Sequence, residues 1–66
     1  MDKNAKQVIK EAVFDLTVGR GGTPPEEPTD DDIRDIEKRL GRHLNGRDQR
    51  EVWYCWGYNL QCMEQK

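Results

Sequence analysis

The chain has 66 residues, of which 36% are charged and 33% are hydrophobic, and its formal net charge is −2. A chain this short forms one domain at most and buries only roughly 60% of the surface that it exposes when unfolded. A charge this close to neutral does not favour binding of a polyanion over the whole molecular surface. No apolar run approaches the roughly 20 residues that a membrane-spanning helix needs, so we expect no membrane association.

The first predicted helix spans about residues 4–18. Apolar residues recur there at the i, i+3, i+4, i+7 spacing that marks one face of a helix. This stripe comprises Ala5, Val8, Ile9, Ala12, Val13 and Leu16. Gly19 follows as a stop signal. At about 100° per residue, Phe14 falls almost opposite the stripe, so we expect Phe14 to lie outside the core.

Residues 19–28 contain three glycines and three prolines. This composition is incompatible with a helix interior or a central strand. We therefore predict a flexible Gly/Pro-rich connector within a single domain that covers residues 1–66.

The second predicted helix spans about residues 30–44. Thr29 is a typical N-cap residue, and Asp32 stands three positions later as a capping-box partner. The apolar stripe of this helix comprises Ile33, Ile36, Leu40 and Leu44. Asn45 and Gly46 together provide a left-handed stop.

The third predicted helix spans about residues 48–64, with Asp48 and Glu51 as its capping pair. Its core stripe comprises Val52, Trp53, Trp56, Leu60 and Met63. Three apolar stripes joined by one long and one short connector predict a small all-α three-helix bundle. The alternative is an α+β fold with a C-terminal β-hairpin, since residues 51–56 have high β-propensity and Gly57 could open a turn. In that alternative, Cys55 would face Cys62 and could form a cross-strand disulfide.

The sequence offers few groups for metal binding or catalysis. His43, Cys55 and Cys62 are the only soft metal ligands, and the chain contains no serine. Two cysteines seven positions apart on a helix are separated by about 10.5 Å along its axis, too far to share one zinc ion readily. We predict no enzyme activity, no cofactor and no metal. The N-terminal residues show no apolar signal segment, so we expect a cytoplasmic protein with reduced thiols.

The third helix has more apolar surface than one core can bury. Besides its core stripe it carries a second arc of aromatic and cysteine residues, and a helix that is apolar nearly all round is normally covered on more than one side. The predicted protein interface comprises Phe14, Tyr54, Cys55, Tyr58 and Cys62. In a more ordinary interpretation, the connector prolines cover the tyrosines.

These features favour a protein-binding module that acts as an inhibitor, adaptor or regulatory subunit, as small proteins of phages and mobile elements do. Tyrosine gives large contact area at low entropic cost. Electrostatic contacts are expected from Arg39, Arg42, Arg47 and Arg50. The same surplus surface could instead close a homodimer through the third helix.

The alternative function is a helix-turn-helix-like DNA-binding regulator. Residues 38–50 carry five Lys or Arg residues against one acid, and a three-residue turn at 45–47 would join helices two and three. Against this, residues 26–37 carry seven acids and one arginine. Acids at the start of a helix and bases at its end follow from the helix dipole alone. Nucleic acid is therefore the less favoured partner.

Overall fold

The computed structural model describes residues 2–64. Its elements in chain order are α1 (Asp2–Leu16), a short 3-10 helix (Val18–Arg20), α2 (Asp30–Leu40) and α3 (Gly46–Glu64). The described residues contain no strand, which confirms the all-α three-helix prediction. The β-hairpin alternative is wrong, because residues 51–62 lie within one continuous helix and both cysteines are free thiols.

The first helix is the central element of the fold. It packs against both α2 and α3, whereas no Cα atom of α2 lies within 8 Å of one in α3 in the described part of the chain. An ion pair of 2.9 Å between Arg39 and Asp15 joins α2 to α1. At the end of α1, the Asn59 side-chain amide of α3 donates to the Thr17 hydroxyl at 3.2 Å.

The core is built from one face of each helix and from the linker after α2. Its buried apolar residues are Ile9, Ala12, Val13, Ile36, Leu44, Val52 and Trp56. The prediction that Trp53 belongs to the core is wrong, since its side chain is 43% exposed. The sequence stripe therefore overestimates the buried arc of α3, whose buried apolar residues are Val52 and Trp56.

The second helix begins as predicted and ends earlier. Thr29 and Asp32 form a capping box in which each side chain accepts a hydrogen bond from the backbone N–H of the other. The helix stops at Leu40 rather than near residue 44, because Gly41 adopts a left-handed conformation with φ of 80°. Its N–H donates to the Glu37 carbonyl at 2.8 Å, which satisfies an otherwise orphaned helix-end acceptor.

The third helix begins two residues earlier than predicted, at Gly46. Asn45 caps it by accepting a hydrogen bond from the Asp48 N–H at 2.9 Å, and the Asp48 carboxylate accepts from the Asn45 N–H at 3.2 Å. The capping pair is therefore Asn45 with Asp48, not Asp48 with Glu51. Since Arg42 forms an ion pair with Asp48, the linker of residues 41–45 is attached to the first turn of α3.

The connector of residues 19–28 contacts the core at several points. Arg20 pairs with Asp32 at 3.0 Å, and Pro24 is buried. The indole N–H of Trp56 donates to the Pro25 carbonyl at 2.9 Å. The connector prolines thus cover Trp56 on the core side of α3. Flexibility of this segment stays a prediction.

Candidate functional site

A groove runs along the surface between α1 and α3 and encloses about 520 Å³. We call it the aromatic groove. It is lined by Lys6, Lys10, Phe14, Glu51, Tyr54, Cys55, Tyr58 and Asn59. Four of the five residues predicted as a protein interface therefore lie together in one place, and Cys62 follows Tyr58 by one turn of α3.

The three rings of the groove are open to solvent. The exposed fractions are 52% for Phe14, 71% for Tyr54 and 59% for Tyr58. The connector leaves them uncovered, because Pro24 is buried and the Pro25 carbonyl is bonded to Trp56. Exposed apolar side chains that gather in one place frequently mark a binding site.

The rings meet because α1 and α3 run in the same direction. Ala5 and Arg47, near the starts of the two helices, border one hollow, and Thr17 is hydrogen-bonded to Asn59 near their other ends. Phe14 therefore comes level with the tyrosines late in α3. The spacing of the stripes in the sequence does not reveal this parallel arrangement.

A second hollow, of about 630 Å³, adjoins the aromatic groove at the start of α3. The two share Lys6 and Glu51, so they are adjacent along the two helices, and we call them together the depression. From Arg47 to Tyr58, the depression extends along α3 for about 16 Å, given a rise of about 1.5 Å per residue. That length corresponds to about three helical turns.

The predicted arginine contacts divide into two groups. Arg39 is held by Asp15 at 2.9 Å and Asp35 at 3.1 Å, and Arg42 is held by Asp48. The Asp15 carboxylate raises the pKa of Arg39, which keeps this guanidinium charged within the pair. These two arginines have internal structural contacts that the sequence did not indicate.

By contrast, Arg47 and Arg50 form no ion pair with any of residues 4–64, whose side chains the structure describes. They precede Tyr54 by two turns and one turn on the same helix face. Lys6 and Lys10, which the sequence reasoning missed, are likewise outside the ion pairs of the described residues. Their position could have been predicted from the sequence, because Lys6, Lys10 and Phe14 are spaced by four residues and therefore share one face of α1.

The cysteine thiols lie along the groove side of α3. Cys55 Sγ lies 3.5 Å from a Glu51 carboxylate oxygen, and burial followed by this neighbour raises the pKa of Cys55. A raised pKa keeps the thiol protonated and weakly nucleophilic near neutral pH. At Tyr58, a hydrogen bond with the thiol of Cys62 raises the tyrosine pKa. These groups suit contact and hydrogen bonding better than nucleophilic attack.

Metal-ligating side chains do not converge in the described part of the chain, where no group of three or more His, Cys, Asp or Glu is placed to hold an ion. His43 lies on the exposed linker, with its Nδ1 at 3.4 Å from Glu37. The main cause of the lowered pKa of Glu37 is the hydrogen bond that it accepts from the Leu44 N–H. The contacts of Glu37 with His43 and with the Leu44 N–H therefore fasten the linker to α2.

No protein-family model matches this chain, and no curated protein or solved structure matches it significantly. Among residues 2–64, no helix combines the length and apolar character that crossing a bilayer requires. Function is accordingly inferred from the residues of the aromatic groove and from their contacts.

Proposed function

We propose that this protein acts by binding another protein through the aromatic groove. Tyr54 and Tyr58 are the principal contacts, and Phe14 packs beside them. The observation that carries the proposal is the exposure of all three rings around a single groove. Aromatic residues contribute disproportionately to protein interfaces, because each buries a large area while ordering few torsions.

The proposed role is that of a non-enzymatic inhibitor, adaptor or regulatory subunit, without a cofactor. The exposed aromatic rings support this role because they are suited to contact with another protein. The thiol of Cys55 supports a non-enzymatic role because its pKa is raised. A catalytic cysteine needs the opposite shift. The cytoplasmic location stays an expectation.

DNA binding through residues 38–50 has less support than protein binding. Two of the five Lys or Arg residues on which it depends, Arg39 and Arg42, are occupied by carboxylates of the same chain. The predicted turn at 45–47 is also displaced, since residues 46 and 47 already belong to α3. Lys38, Arg47 and Arg50 are left for phosphate contacts, which is a small set for duplex binding.

The test is affinity capture from the lysate of the native host, with and without nuclease. Three baits are compared: the wild type, the double variant Tyr54→Ala with Tyr58→Ala, and Trp53→Ala. Trp53 is the matched control, because it is an exposed aromatic residue on another face of the same helix. We expect a nuclease-resistant protein that the wild type and Trp53→Ala retain and the double variant loses.

Two results contradict the proposal. If nuclease releases everything that was captured, the partner is a nucleic acid. If the double variant captures the same protein as the wild type, binding uses another surface. Circular dichroism of each bait shows that a lost interaction does not reflect a lost fold.

A further inference from the structure

We infer that the groove accepts an acidic amphipathic helix of about three turns, with its carboxylates at one end and its apolar anchors at the other. This inference rests on the proposed function and adds the chemistry of the partner. It follows from the charges along the groove, from their order and from the length of the depression.

The charge balance of the groove is positive although the chain as a whole is acidic. Lys6 and Lys10 line it, and Arg47 borders the adjoining hollow. Among the described residues, the acids that line the groove and the hollow are Glu51, whose carboxylate lies against Cys55, and Asp48, which forms an ion pair with Arg42. Cations without an internal ion pair, set beside exposed rings, are complementary to carboxylates that flank apolar side chains.

The exposed acids of the connector and of the start of α2 lie outside the groove. The exposed carboxylates of Glu26, Glu27, Asp30 and Asp31 belong to the connector and the start of α2. None of them lines either hollow of the groove. The connector that carries Glu26 and Glu27 is attached to Trp56 on the core side of α3, about 200° around the helix from Tyr54 and Tyr58.

Charge and apolar surface are also ordered along the groove. The end near the start of α3 carries Lys6 and Arg47, and the positive end of the α3 dipole adds to their field. The other end carries Phe14 and Tyr58. A helix seated there places its carboxylates near the start of α3 and its aliphatic or aromatic anchors against the rings.

A helix fits this depression better than an extended peptide does. The floor is the furrow between two parallel helices, and a third helix laid along them repeats the packing that α2 already makes with α1. Anchors at i, i+3, i+4 and i+7 would meet a row of rings that is itself spaced by helical turns. The extent of about 16 Å accommodates about eleven helical residues.

The experiment is a selection from a displayed library of random helical peptides, each of about 14 residues. Peptides are selected on the wild-type protein, with removal of those that also bind the Tyr54→Ala, Tyr58→Ala variant. We expect the retained pool to be enriched in Asp and Glu toward one end and in apolar residues at helical spacing toward the other.

A charge-reversal arm tests the assigned contacts. The double variant Lys6→Glu with Lys10→Glu should weaken the selected acidic peptides by at least about tenfold, since two attractive contacts become repulsive. The same selection on this variant should instead enrich basic peptides. Lys38→Glu on α2 is the matched control, because Lys38 is exposed and lies outside the groove, and it should leave binding unchanged.

Each other outcome has a defined meaning. A retained pool without acidic enrichment overturns the inference about the partner but leaves tyrosine-dependent docking intact. A selection that yields no tyrosine-dependent peptide overturns the inference and counts against the proposed function as well. Displacement of the peptides by a single-stranded oligonucleotide that itself binds the groove assigns the surface to nucleic acid. Self-association that blocks the groove, seen by sedimentation, assigns it to a second copy of the chain.

Discussion

The indole N–H of Trp56 donates a hydrogen bond to the carbonyl oxygen of Pro25 at 2.9 Å, between residues 31 positions apart in the chain. This bond draws the connector onto the core side of α3. As a result, the prolines cover a core tryptophan and leave Tyr54 and Tyr58 on the other side of the helix uncovered. The candidate interface depends on this division of α3 into a covered and an open face.

Trp56→Phe tests the attachment of the connector. We expect a loss of about 1–3 kcal/mol in the free energy of unfolding, because the substitution removes the donor to Pro25 and leaves space in the core. Limited proteolysis within residues 19–28 should accelerate more than proteolysis within α1. Trp53→Phe is the control, and it should change stability by less than about 0.5 kcal/mol because Trp53 is exposed. Equal effects of the two variants in urea denaturation would contradict the assigned contact.

Asp48→Asn tests the ion pair and cap at the start of α3. Arg42 and the Asn45 N–H hold the pKa of Asp48 below its ordinary value. A depressed folded-state pKa stabilises the fold above the ordinary pKa of about 4, and this contribution is lost as the pH falls through the folded-state pKa. We expect the variant to be less stable than the wild type by about 1–3 kcal/mol at neutral pH.

The same variant should lose less stability than the wild type between about pH 4 and pH 2, because the linked carboxylate is gone. Some acid sensitivity will persist, since Glu37 also has a lowered pKa. Asp31→Asn is the control at an exposed first-turn position of α2. Urea denaturation over this pH range measures the effect, and parallel profiles for wild type and Asp48→Asn would refute it.

Two glycine substitutions of opposite sign test the helix boundaries. Gly41→Ala should destabilise the protein by about 1–2 kcal/mol, because Gly41 has a φ of 80° and a Cβ is unfavourable in the left-handed region. Gly57→Ala should stabilise it by about 0.5–1 kcal/mol, since Gly57 lies within α3 and nothing lies within 4 Å of an added Cβ. Thermal unfolding distinguishes them, and a stabilising Gly41→Ala would mean that α2 continues past residue 41.

Thiol reactivity tests the environment of the two cysteines. Titration of the native protein should reveal two reactive thiols, with the exposed Cys62 reacting faster than the half-buried Cys55. Burial and Glu51 raise the pKa of Cys55, so its thiolate fraction is low at mildly alkaline pH. The slow phase of the titration is the reaction of Cys55. Glu51→Gln should accelerate this phase, and Cys55→Ser should abolish it. A single reactive thiol, or none, would contradict two free cysteines.

The helices could be predicted because each has an apolar stripe of helical period, and the cap at Thr29 has a local signature. The end of α2 was misplaced because two stop signals compete. Leu44 continues the spacing of Leu40, which favoured the later stop at Asn45 and Gly46. In the structure the chain leaves the helix at Gly41, and Leu44 reaches the core from the linker.

The predictions that failed near the candidate site depend on contacts between residues that are distant in the sequence. Phe14 and the tyrosines could be identified because each falls off its own core stripe, which is a local property. Trp53 could not be placed, because its exposure depends on how the three helices pack together. The pairing of Arg39 with Asp15 joins residues 24 positions apart, and a local charge pattern cannot reveal it.

Hydroxyl-radical footprinting of the captured complex is the most direct test of protein docking through the aromatic groove. The oxidation rates of Phe14, Tyr54 and Tyr58 are compared with those in the unbound protein, with Trp53 as the internal reference. We predict that the partner protects all three rings and leaves Trp53 unchanged. Rings that are oxidised as fast in the complex as in the unbound protein, with protection elsewhere, would show that binding does not use this groove.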